Sequence, residues 1–414
     1  MIKSHPYIHP TENLGKQFGL FVDTILLFLL IITINAGIFF PINPHWPIPV
    51  LLAIPFMRFL IQREIFHQVV SIAFRPWVLS VIGLFLIYRL MTGDLEALAY
   101  LFSSLLFLFV LVIYTSIHGR DLERIAWLLV FAAVFSCIFF LLRTQEVPIA
   151  EKVYDSLWGL LRSPVPTGFT GTLFQFGFQI AILTPLSIGL IISSRKKAKR
   201  ILALFVFVLS LACLFTAGQR GPALGVGLSI ILIFLPNLSI KKSLILFLLT
   251  SVGVYVYFIV SKDSSIYLIS KSQTLGDYEW RLALQMQAFD ALLRYPQGLI
   301  LANVSWNKLA SNLFVSQEIT AHNSYLVIAM NMGWLFGIWI LTTLVNSFCV
   351  FILDLKNAIK SGQLSKSQIH LGLIGGFFAV AVSALFHNPS LFTLDGPTWI
   401  VYCILWLCHE KKAW

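Results

Sequence analysis

A polar segment at residues 261–322 separates two long hydrophobic stretches and ends in the sequence AHNSYL. Only 11% of the whole chain is charged, so the charge in this segment stands out. A loop of this length and chemistry indicates a functional site rather than a simple connector. The ionisable residues that it gathers include Asp277, Glu279, Arg281, Asp290, Arg294, Glu318 and His322.

Several arginines are candidates for binding a phosphate group. Arg220 lies in the sequence AGQRGPALG, which predicts a tight hairpin between two apolar stretches. A guanidinium is planar and always charged, and it can bind phosphate through two nitrogens. The alternative for Arg220 is an arginine that snorkels at a helix end. Arg281 binds an anion or forms an exposed ion pair with Asp277 or Glu279, and Arg162 and Arg294 are accessory candidates.

His322 is the candidate general base, because imidazole can accept a proton near neutral pH. Asn323 and Tyr325 follow it and are accessory candidates. The alternative is a histidine that anchors the chain at a membrane interface. His387, in LFHNPS, has a similar placement after an apolar stretch and is a second option, although Asn-Pro is equally typical of a turn.

The sequence predicts no metal and no cofactor. It lacks a P-loop, an HExxH motif, a Cys/His cluster and a GxSxG elbow. The five cysteines all fall in predicted spans, which favours small buried hydrophobic side chains. One metal-dependent alternative stays open, with ligands drawn from Asp277, Glu279 or Asp395.

The elements that must position these residues are membrane-spanning helices. With 58% hydrophobic residues and a mean hydropathy of +0.86, the chain is not a soluble globular protein, which would carry roughly 25% charged residues. A helix of about 20 apolar residues crosses a bilayer. We therefore predict an all-α polytopic membrane protein whose residues 1–414 form a single integral membrane domain. The predicted spans, about twelve, are 18–40, 46–61, 73–90, 96–116, 125–142, 171–193, 201–217, 222–237, 243–260, 323–353, 369–386 and 396–408.

The basic residues orient these spans. Placing SRKKAKR (194–200) in the cytoplasm puts most of the Lys and Arg on that side by alternation, as the positive-inside rule requires. Both termini are then cytoplasmic, and the two large loops, 143–170 and 261–322, are extracytoplasmic. Anionic lipid accounts for the net charge of +11, so no nucleic-acid partner is implied.

Both large loops are predicted to contain short helices. Residues 153–161 have an amphipathic pattern suited to the membrane surface. In the second loop an apolar stripe recurs at helical spacing, with Asp277 as the predicted N-cap and Pro296 and Gly298 ending the helix. The stripe consists of Leu282, Met286, Phe289 and Leu293. The span 323–353 is longer than one crossing needs, which predicts a tilt or a break near Gly333 and Gly337.

Three blocks follow one another along the chain: the hairpin TAGQRGPALGVG, the loop helix WRLALQMQAFDALLRYPQG and the segment AHNSYLVIAMNMGWLFG. In this order they resemble the O-antigen ligase and O-antigen polymerase superfamily of bacterial envelope enzymes. The resemblance covers about residues 170–340. Gln219 stands where the family more often has serine, and PQGLI lacks the second glycine of the usual Pro-x-Gly-x-Gly.

The resemblance implies a GT-C-like, inverting and metal-independent glycosyltransferase in the bacterial inner membrane. Such an enzyme takes a glycan from undecaprenyl diphosphate at the periplasmic face and passes it to a sugar hydroxyl. By the motif match, Arg220 and Arg281 would hold the diphosphate and His322 would be the catalytic base. The acceptor is lipid A–core in a ligase, which the blocks resemble best, and a growing chain in an O-antigen or exopolysaccharide polymerase.

A transporter of lipid-linked or small solutes is the alternative of another class. Ion-coupled transporters usually carry ionisable residues near the middle of the membrane, and the predicted spans show no chain of acidic residues. Basic residues that converge at a membrane surface would favour the enzyme, whereas a cavity at mid-bilayer would favour the transporter.

Overall fold

The computed structural model describes residues 122–158, 166–168, 173–234, 275–310, 321–362, 364–386 and 397–410, together with parts of 21–32 and 67–83. The described residues form helices and turns, with no strand among them. This confirms the all-α class. The helices are α1 Leu122–Thr144, α2 Pro148–Trp158, α3 Leu173–Ser193, α4 Lys197–Thr216, α5 Arg220–Phe234, α6 Leu275–Arg294, α7 Trp306–Ala310, α8 Ser324–Met332, α9 Trp334–Lys360, α10 Leu364–Ser383 and α11 Pro397–Glu410.

Four of these helices are long and apolar enough to cross a membrane. They lie at Leu122–Thr144, Gln175–Ser193, Lys197–Thr216 and Trp334–Lys360, and α5, α10 and α11 supply shorter apolar helices. These seven helices coincide with seven of the predicted spans, from 125–142 to 396–408. The predicted spans 46–61, 96–116 and 243–260 lie outside the described residues, as does most of 18–40 and 73–90.

The centre of the described bundle is α10, which packs against α3 and α5 through glycines. A Cβ added at Gly189 would lie 2.6 Å from the carbonyl oxygen of Gln368, and one at Gly372 would lie 2.9 Å from that of Pro185. A Cβ at Gly225 would collide with the carbonyl of Ala379. The backbones of these helices therefore approach as closely as small residues allow, which is typical of membrane bundles.

The bundle has two distinct ends. Residues 194–196, which include Arg195 and Lys196, connect α3 to α4. The contact between Gly189 and Gln368 brings this connection near the start of α10, which follows Ser361 and Gly362. We call this the basic end. Helix α4 has 20 residues and is therefore about 30 Å long, so the hairpin between α4 and α5 lies at the opposite end, which we call the site end.

The predicted span 323–353 is two helices, because the chain breaks at Gly333. Gly333 has φ 88° and ψ 169°, a conformation that is essentially restricted to glycine. It ends α8 and begins α9. The predicted break near Gly333 is thus confirmed, whereas Gly337 lies within α9 and packs against Ala329 of α8.

Candidate functional site

His322 precedes α8 in a strained backbone conformation. Its φ is 49°, in the left-handed region that few non-glycine residues adopt. The side chain is half-buried, with its Nδ1 atom buried. Ala321 before it is fully buried. Strain of this kind persists only where neighbouring contacts hold it, and it concentrates at functional sites.

The contacts that hold His322 come from the residues that follow it. The side-chain oxygen of Asn323 accepts a hydrogen bond from the backbone N–H of Leu326 at 3.0 Å, so Asn323 is the N-cap of α8. Such a cap satisfies one of the free N–H groups at a helix start. Asn323 therefore has a structural role as a helix cap, and its accessory role at the site stays a prediction.

Two further bonds fix this segment to the site end of α10. The backbone N–H of Ser324 donates to the carbonyl of Ala384 at 2.8 Å, and the hydroxyl of Tyr325 donates to the carbonyl of Ala381 at 2.8 Å. Helix α8 has nine residues, too few to cross a bilayer.

Arg220 is the first residue of α5, at the same end of α10. The side chain is half-buried, with Nε and Nη2 buried. Gly225, five residues later, packs on the carbonyl of Ala379 and lies near Ser383. Arg220 is therefore about 7.5 Å closer to the site end than this contact, by the rise of a helix. Arg220 and His322 thus both lie at the end of α10, although they are far apart in sequence.

Arg281 belongs to α6, which packs beside α8. Ala288 and Ala291 of α6 form one buried cluster with Ala321 and Val327. Arg281 lies in α6 seven residues before Ala288, and its side chain is outside the described part of the structure. The end of α6 meets the end of α8, so the first turns of α6 run toward the start of α8, where His322 lies.

A backbone clasp joins α6 to the break at Gly333. The turn at residues 296–300 supplies it: Leu299 N–H donates to the Met330 carbonyl at 2.9 Å and Ile300 N–H to the Asn331 carbonyl at 3.2 Å. In return, the Trp334 N–H donates to the Pro296 carbonyl at 3.1 Å. These bonds satisfy the last carbonyls of α8 and the first N–H of α9, which otherwise lack helical partners.

Glycine is required on both sides of this clasp. Gly298 has φ 93° and its added Cβ would collide with the Asn331 carbonyl. A Cβ at Gly333 would lie 2.6 Å from the Pro296 carbonyl. The two backbones can therefore touch only where side chains are missing. The helix ends at Arg294 before Pro296 and Gly298, as predicted.

The described part of the structure does not place the remaining candidate residues beside Arg220 and His322. Arg294 is 66% exposed and pairs with Asp290 of its own helix at 2.8 Å. Arg162 and His387 lie outside the described residues, as does Asp395.

Helix α6 begins at Leu275. Asp277 therefore lies inside its first turn, and the prediction that Asp277 is the N-cap is wrong. Within the described residues, no group of three or more His, Cys, Asp or Glu side chains could hold a metal ion.

Arg143 is a residue that sequence analysis did not single out. It is buried at the end of α1, where its Nε donates to Glu151 at 3.0 Å and its Nη1 donates to Thr167 at 2.9 Å. Its guanidinium also lies 3.6 Å from the ring centre of Tyr154. One side chain thereby fastens both ends of the predicted loop 143–170. No local pattern predicts these partners, because Thr167 is 24 residues away.

The comparisons with known proteins agree with the sequence resemblance. Residues 205–341 match the family model described as O-antigen ligase. The matched region takes in Arg220, Arg281 and His322, as well as the clasp. No curated protein matches the chain. This family match supports the resemblance to the O-antigen ligase and polymerase superfamily over residues 205–341.

Proposed function

We propose that this protein is an inverting glycosyltransferase of the O-antigen ligase type. It transfers a glycan from undecaprenyl diphosphate to a hydroxyl of lipid A–core, at the periplasmic face of the bacterial inner membrane. The observation that carries the proposal is that His322 and Arg220 both lie at the site end of α10. A repeat-unit polymerase uses the same donor and differs only in its acceptor.

The chemistry is a single displacement at the anomeric carbon. The acceptor hydroxyl oxygen forms a bond to that carbon while the bond to the diphosphate oxygen breaks, which inverts the configuration. The hydroxyl proton passes to the imidazole of His322. The negative charge that develops on the leaving diphosphate needs fixed positive partners.

Arg220 and Arg281 are the proposed partners of the diphosphate. Arg220 is half-buried at the site end of α10, with Nε and Nη2 buried. A guanidinium can neutralise a diphosphate without the coordination chemistry of a metal ion. We therefore propose that transfer requires no divalent cation.

The location of these residues also bears on the transporter alternative. A transporter would bind its substrate near the middle of the membrane. Arg220 and His322 instead lie at the site end of the bundle, opposite the basic connection 194–196. Basic connections face the cytoplasm in most membrane proteins, which supports a site at the periplasmic surface.

The test is glycan transfer by the purified protein in detergent with EDTA. The reaction contains an undecaprenyl-diphosphate-linked glycan and lipid A–core. The variants Arg220→Ala, Arg281→Ala and His322→Ala are compared with wild type, and each should lower the rate by at least about 100-fold. Lys308→Ala removes an exposed positive charge from the same predicted loop and should leave the rate unchanged.

The products separate the possible functions. Glycan on the core identifies a ligase, and longer lipid-linked chains with the core untouched identify a polymerase. Activity that disappears in EDTA and returns with Mg²⁺ would contradict the metal-free mechanism. If no glycan is transferred to either acceptor from matched substrates, the enzyme proposal fails and the transporter becomes the better explanation.

A further inference from the structure

Helix α6 carries an exposed apolar stripe that the described protein leaves uncovered. Its members are the four apolar residues predicted from sequence to share one face. Their exposed fractions are 49% for Leu282, 64% for Met286, 46% for Phe289 and 58% for Leu293. Successive members differ by four, three and four residues, so they form one narrow line along the helix.

The opposite face of α6 already has its packing partner. Leu284, Ala288, Ala291 and Leu292 are at most 2% exposed. Ala288 and Ala291 pack in the cluster that contains Val327 and Met330 of α8. The stripe is therefore not the face by which α6 attaches to the protein. Four large apolar side chains on a second face need another apolar environment.

The stripe is continuous with the lipid-facing surface of α9. Phe289 contacts Trp334, the first residue of α9, with ring centres 6.3 Å apart and nearly perpendicular planes. From Trp334 the apolar surface continues along α9, where Leu335 is 85% exposed and Ile338 is 56% exposed. Only 28% of the apolar window of α9 is buried inside the protein, as expected for a helix that faces lipid.

The length of α9 sets the depth of this contact. Its 27 residues extend about 40 Å, which exceeds the roughly 30 Å hydrocarbon core. The charged residues Asp354, Lys356 and Lys360 lie near the last turns of α9. The apolar part before them, residues 334–353, extends about 30 Å, which places Trp334 at the opposite boundary of the core. Tryptophan is enriched at that boundary. Because Phe289 touches Trp334, the stripe lies at the same level.

We propose that α6 is an interfacial helix whose stripe lies in the bilayer leaflet at the site end. Leu282, Met286, Phe289 and Leu293 would enter the boundary between headgroups and acyl chains, as amphipathic helices do. Lipid is the occupant that fits, because the stripe continues a surface that already faces lipid. Arg294 follows Leu293 and is 66% exposed, so it can reach the headgroups.

In this arrangement α6 would be held by the protein at one end and by lipid along its length. The clasp at residues 296–300 fixes the end of α6 to the protein, and the leaflet would support its length. The depth of α6 would then follow the surface of the membrane. This inference does not depend on the reaction that the protein catalyses.

Depth-dependent fluorescence quenching tests the proposal. Among the described cysteines, Cys349 is the exposed one, so the background is Cys349→Ser. A bimane label is placed at Met286→Cys in lipid nanodiscs that contain phosphatidylcholine with a nitroxide on acyl carbon 5. Val345→Cys, 52% exposed on α9, is the lipid-facing reference. Asn307→Cys, exposed in α7, is the water-facing reference.

The expected result is that quenching at position 286 approaches that at 345 and exceeds that at 307 about threefold or more. A bimane label at Leu293→Cys should be quenched as strongly as one at Met286→Cys. Agreement between the two positions excludes an effect that is specific to one labelling site. Quenching at 286 and 293 that equals the value at 307 would overturn the proposal. If these labels are also shielded from iodide in water, a protein surface covers the stripe instead of lipid, which equally overturns it.

Discussion

The conformation of His322 is the most informative property at the scale of single residues. From the sequence, His322 is predicted to be the candidate base, but its φ of 49° cannot be predicted. The residues after His322 are fixed by the cap of Asn323 and by the bonds of Ser324 and Tyr325 to α10. Such partners are invisible in the sequence because α10 begins some forty residues later. The sequence was enough to choose His322 as a candidate base, but not to predict its strained backbone conformation.

Replacing His322 by glycine and by alanine separates its chemical role from its backbone role. A left-handed conformation costs an alanine about 1 kcal/mol more than a glycine. His322→Gly should therefore have a higher melting temperature in detergent than His322→Ala, and both variants should lose transfer activity. If His322→Gly retains activity close to that of wild type, the imidazole is not the base.

Asn323 should contribute through its cap. Asn323→Ala should destabilise the protein by about 1 kcal/mol, whereas Asn323→Asp retains an oxygen acceptor and should change stability little. Thermal unfolding of the two variants in the same detergent measures the difference. Equal melting temperatures for the two variants would show that the hydrogen bond to Leu326 does not contribute.

At the scale of elements, the clasp between the turn 296–300 and the break at Gly333 organises the region. The excessive length of the apolar stretch predicted a break, and Pro296 and Gly298 predicted the end of α6. Sequence spacing could not show that these two features bind each other, because the segments are about thirty residues apart. The glycines at positions 298 and 333 of this chain thus have a direct physical reason.

Gly333→Ala should be one of the more damaging small substitutions in the chain. It places a Cβ at a φ of 88° and 2.6 Å from the Pro296 carbonyl, which should cost about 3 kcal/mol. Gly362→Ala is the matched control, since Gly362 also has a positive φ, 75°, but has open space around it. It should cost about 1 kcal/mol, as judged by thermal unfolding. Equal losses would mean that the clasp is not required.

At the scale of the whole molecule, α10 is the common support of the site. Hydropathy predicted where the seven described apolar helices lie, and basic residues predicted how they are oriented. Neither pattern says which helices touch, since that choice depends on where backbones can approach. Gly225 brings α5 against Ala379, and the bonds of Ser324 and Tyr325 bring α8 to the same helix. The convergence of Arg220 and His322 follows from these contacts.

Two glycines of α5 should differ sharply in their tolerance of alanine. Gly225→Ala drives a Cβ into the carbonyl of Ala379, so it should separate α5 from α10, lower the melting temperature and reduce transfer. Gly227 has nothing within 4 Å of an added Cβ, so Gly227→Ala should stabilise the helix by about 0.5–1 kcal/mol. Similar behaviour of the two variants would contradict the close packing of α5 on α10.

The orientation of the molecule can be tested from its two ends. In the Cys349→Ser background, Asn307→Cys should react with a membrane-impermeant maleimide added to spheroplasts. Ser361→Cys, in the connection between α9 and α10, should react only in inverted membrane vesicles. The reverse pattern would place the site end in the cytoplasm and contradict a periplasmic reaction.

Both α5, which begins at Arg220, and α8, which follows His322, pack against the same end of α10. The position of α10 therefore sets the distance between Arg220 and His322. A small slide of α10 along its axis would carry the two groups by the same distance and would preserve their spacing. A rotation or tilt would move them by different amounts, since α5 and α8 attach through different contacts. Distant substitutions that shift α10 lengthwise should therefore be tolerated, whereas those that turn it should separate the arginine from the histidine.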